Sequence, residues 1–156
     1  MNTRMIRLAA LILSAVALAS PSASADDKTG REDALLIAAQ KTCPISGEAL
    51  GEMGAPVKTK IGEQTVFLCC KSCLGKQPSA EKWQTLTTNL RSAQATCPVT
   101  GAALPKDAPA VVVNNRLIFV SSNDGIATVK ADPAKYIAKV DELLEKNLKV
   151  QSEKKM

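Results

Sequence analysis

The sequence predicts an α+β fold: two tandem small modules, each a Cys-Pro turn, a β-hairpin and helices. Three observations lead there. The opening Cys43-Pro44-Ile45-Ser46-Gly47 recurs as Cys97-Pro98-Val99-Thr100-Gly101. After each opening, two short β-prone runs flank a turn signal. After each pair of runs comes an apolar stripe at helical spacing, and the whole pattern repeats at a near-constant offset.

The elements follow in order. Residues 1–25 read as an export signal. Arg4 and Arg7 are its basic start, Leu8 to Ala19 its apolar run, and Ala23-Ser24-Ala25 its cleavage site. The expected mature chain starts at Asp26, is periplasmic or secreted, and has no membrane attachment after cleavage. An uncleaved anchor is the alternative, disfavoured by the short apolar run. Residues 26–41 form a leader and a short helix: Asp26–Arg31 reads as a mobile polar segment and Glu32–Lys41 as an Ala-rich packing helix.

The first module spans 42–95. Val57, Thr59 and Ile61 alternate with Lys58 and Lys60, a half-buried strand. Gly62-Glu63 turns the chain, and Gln64–Leu68 returns. A helix is expected to open at Cys69–Cys73, and a second one carries Trp83, Leu86 and Leu90. The second module spans 96–149. Ala110–Val113 and Leu117–Val120 flank Asn114-Asn115, a type I′ candidate because Asn tolerates positive φ. Asp132-Pro133 starts a long C-terminal helix, with a capping side chain and proline at the first helical position. Tyr136, Ile137, Val140, Leu143, Leu144 and Leu148 form its apolar stripe, which is expected to brace the first module. Lys139, Asp141, Glu142, Glu145, Lys146 and Lys149 read as its solvated face. Residues 150–156 are a polar tail.

Composition narrows the function. There are five cysteines and no histidine. The commonest neutral-pH proton shuttle and metal ligand is therefore missing, which argues against most hydrolytic metalloenzymes and against Cys-His nucleophiles. An odd cysteine count leaves at least one thiol free, metal-bound or paired with another molecule. The net charge of +5 falls to about +3 once Arg4 and Arg7 leave with the signal. With so few aromatics there is no basic-aromatic surface for nucleic acid. Neither a carboxylate pair on a recognisable motif nor a phosphate-binding glycine loop occurs, so no enzymatic activity is expected.

The chemistry concentrates in Cys43, Cys69, Cys70 and Cys73. Cys69 and Cys73 are i and i+4, and Cys70 and Cys73 are i and i+3, so either pair can share a helix face. Thiolates at a helix start would be favoured by free amides, by the dipole and by Lys71 and Lys76. A turn that carries one sulfur, a hairpin, then two more sulfurs at a helix start is the logic of a treble-clef metal site.

This pattern resembles the TRASH and YHS family of small metal-binding modules. The resemblance rests on C-P-x-[ST]-G, on Phe67-Leu68-Cys69-Cys70-Lys71-Ser72-Cys73, and on Asp132-Pro133-Ala134-Lys135-Tyr136. It covers roughly residues 40–145 as two copies. It implies a compact hairpin-and-helix fold that binds copper or zinc for sensing, trafficking or resistance. By that resemblance the ligands are Cys43, Cys69 and Cys73, with Cys70 an extra thiol. The second copy departs from the pattern: Ser121 and Ser122 replace the thiols and Gly125 stands in place of Cys73. Serine is a poor ligand for a soft metal, so this copy is expected to be scaffold.

One soft ion is expected. Three thiolates suit Cu(I), and recruiting Cys70 as a fourth suits Zn(II). Adjacent cysteines bind one ion from both side chains only with strain, which leans toward three ligands. Met53 offers either a thioether or an apolar contact. Cys97 is a buried relic, a further ligand, or a link to a second chain. The implied partners are the ion and a protein that delivers or accepts it. Two other readings stand beside this one. The cysteines form a structural staple of disulfides or zinc, or Cys70-Lys71-Ser72-Cys73 is a redox C-x-x-C.

Overall fold

The structure, a computed structural model, describes residues 25–154. The predicted signal lies outside the described residues, except for Ala25, the first residue of a helix. Among the described residues the fold is α+β, with helices α1 (Ala25–Gln40), α2 (Ala80–Gln94), α3 (Asn123–Ala131) and α4 (Pro133–Glu153). Two antiparallel hairpins complete it: β1 (Val57–Ile61) with β2 (Gln64–Leu68), and β3 (Ala110–Val113) with β4 (Arg116–Phe119). No helix among these residues is long and apolar enough to cross a membrane.

Both hairpins form for the reasons visible in sequence. In β1 the odd-numbered side chains are half-buried and the two lysines are exposed. Asn114 and Asn115 take φ of 48° and 62°, as a type I′ turn requires. That two-residue turn pairs Val113 with Arg116, so β4 begins and ends one residue earlier than the expected Leu117–Val120. Asp132 caps α4 by accepting from the Lys135 amide at 3.2 Å.

Three expectations need correction. Helix α4 runs on through Glu153, so the first four residues of the tail expected at 150–156 are helical, while 155–156 lie outside the described residues. Asp26–Arg31 is not a loose leader but the first turns of α1. Arg31 pairs with Glu145 of α4, and Lys58 with Asp33 of α1 at 2.6 Å, so tertiary contacts hold a segment whose composition alone does not. For the same reason the polar face of α4 is not simply solvated. Asp141 takes the largely buried Arg116 at 2.5 Å, and the Arg116 and Asp141 side chains are only 9 % and 17 % exposed.

Helix α4 lies against α1, α2 and β4, and the hairpins meet where the Thr65 amide donates to the Asn115 carbonyl at 2.8 Å. Two apolar clusters result. The larger gathers Val111, Val113, Ile118, Val120, Val129, Val140 and Leu144 with Ala39 and Ala93. The smaller is built from Cys43, Leu68, Cys69 and Cys73, flanked by Ile45, Leu50, Val57 and Cys70. The smaller cluster is thus built mainly of cysteines, whereas the larger holds one cysteine, Cys97, among aliphatic side chains.

The helices preceding the two Cys-Pro turns end on residues of positive φ, Lys41 (φ 66°) and Ala95 (φ 57°, ψ −35°). Ala95→Gly is expected to raise stability by about 0.5–1 kcal/mol. Relief of the Cβ clash, ~1–2 kcal/mol, exceeds the chain entropy that glycine adds to the unfolded state. A thermal melt checks it; an unchanged or lower midpoint contradicts it.

Candidate metal centre

The first sulfur is placed by a short hydrogen-bonded loop. The Cys43 amide donates to the Glu48 carbonyl (2.8 Å) and the Gly47 amide to the Cys43 carbonyl (2.9 Å). Gly47 at φ 88° makes the reversal that a Cβ would resist. The loop's amides converge on sulfur: burial pushes the Cys43 thiol up, but amides of Ser46, Cys69 and Ile45 and the Ser46 hydroxyl bring it down to about 6.

The other sulfurs follow β2. The expected helix at Cys69–Cys73 is reduced to a single 3-10 turn, Lys71–Cys73. Gly75 at φ 75° and Pro78 end it, and α2 starts only after Ser79. So short a turn has little dipole to offer, and Lys71 and Lys76 are exposed. Amides and hydroxyls, rather than these lysines, are what chiefly lower thiol pKa values here. Lys82, which the sequence did not single out, instead clamps the Cys-Pro loop by donating to the Ile45 carbonyl at 2.6 Å.

The turn nevertheless gathers the thiols. Cys43, Cys69 and Cys73 are buried, and their sulfurs lie within 4.8 Å of one another. Cys70 joins them at the rim, half-buried: its Sγ is 3.8 Å from that of Cys69 and 3.8 Å from that of Cys73. Cys69 and Cys73 are also 3.8 Å apart. The sulfurs of the adjacent Cys69 and Cys70 therefore lie close together, while the group able to hold one ion is Cys43, Cys69 and Cys73. All four thiols are free.

Their protonation differs. The Ser46 hydroxyl pulls Cys69 down at an Sγ–Oγ distance of 3.2 Å, but burial and the Cys43 and Cys70 sulfurs outweigh it and the thiol is raised. Burial and the neighbouring sulfurs push Cys73 up to about 12. At Cys70 the Ser72 hydroxyl, 2.9 Å away, leads in lowering the thiol to about 7. The arrangement could accept a cation that displaces protons from the raised thiols. Ligands of a tetrahedral ion with bonds of about 2.3 Å lie about 3.8 Å apart, and those of a trigonal ion about 4.0 Å apart. The Cys69–Cys73 separation of 3.8 Å is compatible with either, and Cys43, Cys69 and Cys73 together could hold a metal ion.

Sequence reading missed Gln40. Buried at the end of α1, it acts as a strand partner for β2. Its Nε2 donates to the carbonyls of Phe67 (2.6 Å) and Thr42 (2.9 Å), and its Oε1 accepts from the Phe67 amide (2.9 Å). It therefore ties the Cys43 loop to the strand that delivers Cys69. Gln94 does the same for Phe119 and Thr96 in the second half. The signal was present: Gln40-Lys41-Thr42-Cys43-Pro44 and Gln94-Ala95-Thr96-Cys97-Pro98 extend the repeat by three residues.

Around Cys97 the same loop geometry recurs without the thiols. The Cys97 amide donates to Ala102 (2.8 Å) and the Gly101 amide to Cys97 (2.8 Å). Cys97 is buried in the larger cluster, apart from the other four. Burial raises its thiol, yet the Ser121 and Thr100 hydroxyls and amides bring it to about 7. A Cβ on Gly125 would lie 3.0 Å from that of Val120, so a cysteine there has no room beside this β-branched neighbour. Leu68, the counterpart in the cluster that holds Cys73, branches at Cγ and not at Cβ. Met53 is 66 % exposed and packs in neither cluster.

No protein-family model, curated protein or solved structure matches this chain.

Proposed function

We propose that this protein is an exported soft-metal-binding protein. It holds Cu(I) or Zn(II) through Cys43, Cys69 and Cys73, with Cys70 beside them, for metal handling or sensing. The observation that carries the reading is three buried, unpaired thiols converging within 4.8 Å from two separate segments. Free buried thiols so placed are stabilised by a cation that replaces their protons.

On this reading the chain is a pair of treble-clef-like modules of the TRASH and YHS kind, the second having lost its ligands. The matching loops around Cys43 and Cys97 and the matching roles of Gln40 and Gln94 support that pairing. Metal handling implies a protein that delivers or accepts the ion. No catalysis is assigned to the site.

Elemental analysis of protein purified anaerobically from its export compartment tests the proposal. Wild type is expected to carry copper or zinc, and Cys73→Ser to lose most of it. Equal metal in both removes Cys73 from the site.

One observation favours a structural role for the same ion. The smaller apolar cluster is made mainly of the cysteines themselves, so the ion would contribute directly to folding. Cooperative unfolding of this half on chelation supports a staple, whereas reversible loss without unfolding supports a carrier.

A further inference from the structure

The four sulfurs form two three-cornered faces that share one edge. Cys43, Cys69 and Cys73 make the inner face, wholly buried. Cys69, Cys70 and Cys73 make the outer face, at whose free corner Cys70 is half-exposed. All three edges of the outer face measure 3.8 Å. The centre of such a triangle is about 2.2 Å from each corner, close to the metal–thiolate bond of about 2.3 Å. The outer face is therefore sized for a three-coordinate ion without rearrangement. The extended backbone at Cys70 (φ −160°, ψ 167°) accompanies the convergence of its sulfur with that of Cys69.

We propose that the outer face is a second metal seat, and that the protein binds two Cu(I) ions bridged by the thiolates of Cys69 and Cys73. This rests on the soft-metal reading above and extends it from one ion to two. Cys43 is the terminal ligand of the inner ion and Cys70 that of the outer ion.

Charge favours the second ion. Four thiolates around one monovalent cation retain three negative charges, largely buried. A second Cu(I) reduces that to two, and uncompensated buried charge is costly. Geometry permits it. With shared sulfurs 3.8 Å apart, an ion bonded to both at about 2.3 Å can sit about 1.3 Å off the line joining them, so two ions on opposite sides are up to about 2.6 Å apart. A d¹⁰ ion with three soft donors has no need of a fourth ligand, whereas Zn(II) would draw all four sulfurs around one centre. The outer seat also gives the ion a route: an incoming complex meets Cys70 first, and exchange of Cys70 for Cys43 carries the ion inward while Cys69 and Cys73 stay bound.

Anaerobic titration of the whole chain with Cu(I), against a chromophoric Cu(I) chelator, tests this. Wild type is expected to take two equivalents, and Cys70→Ser and Cys43→Ser one each. Cys69→Ser, which removes a shared ligand, is expected to weaken both ions. X-ray absorption of loaded wild type should show a copper–copper vector, a reading that does not depend on any variant folding, and Cys70→Ser should lack it. One equivalent in wild type, or two in Cys70→Ser, overturns the second seat and leaves the single-ion reading standing. No copper in wild type overturns both.

Discussion

Acidifying the protein from pH 8 to pH 7 is expected to weaken the proposed binding of a first metal ion about a hundredfold. The argument is proton counting. A metal binds thiolate, so every thiol still protonated must release its proton on binding. Cys43 lies at about 6 and is ionised throughout this interval. Cys69 is raised and Cys73 is pushed up to about 12, so both are protonated. Two protons leave per ion, and the affinity falls about a hundredfold per pH unit. Below pH 6 Cys43 also takes a proton, and the slope steepens to about a thousandfold per unit. The sign is fixed: acid releases metal. Competition titrations against a chelator of known protonation, repeated from pH 5 to pH 8.5, give the slope directly. A slope near zero would mean that the thiols are already ionised in the metal-free protein.

Gln40→Ala is expected to destabilise the protein by about 3 kcal/mol and to weaken metal binding about tenfold. The amide, 2 % exposed as part of a buried residue, satisfies three backbone groups at once. Its loss leaves the Phe67 amide and carbonyl and the Thr42 carbonyl without that partner, at about 1 kcal/mol or more each. Phe67 lies two residues before Cys69 and Thr42 is next to Cys43, so the same side chain sets the distance between sulfurs on separate segments. Outer partners of this kind are worth about 10–100-fold in metal affinity. Gln94→Ala is the internal control. It removes the equivalent hydrogen bonds beside Phe119 and should cost similar stability while leaving the metal in place. Urea unfolding with metal retention, measured on both variants, separates positioning from general destabilisation. Equal metal loss in the two would assign the effect to stability alone.

Much of the fold is legible because its signals are local. Alternation in Val57–Ile61 and paired asparagines at 114–115 act through neighbouring residues. So does Asp132-Pro133, and each element appears where those signals lie. The misread segments have causes beyond their neighbours. Asp26–Arg31 looks unstructured in composition, but it lies in α1, and Arg31 finds Glu145 far along the chain. Lys71–Cys73 looks like a helix start, but Gly75 and Pro78 stop it after one turn. Gln40 looks like any polar residue at a helix end until the strand it pairs with is folded beside it.

From the sequence by itself come the α+β class, the paired Cys-Pro turns and the confinement of the thiol cluster to the first half. Composition and short-range spacing decide these. Tertiary structure alone decides that Cys43 meets Cys69 and Cys73, and that Cys70 closes a second triangle rather than pointing away. It also decides that the thiols divide into readily ionised and strongly protonated ones. Those properties depend on distances of a few ångströms between segments remote in the chain, and on burial that only the packed hairpin, loop and helices create.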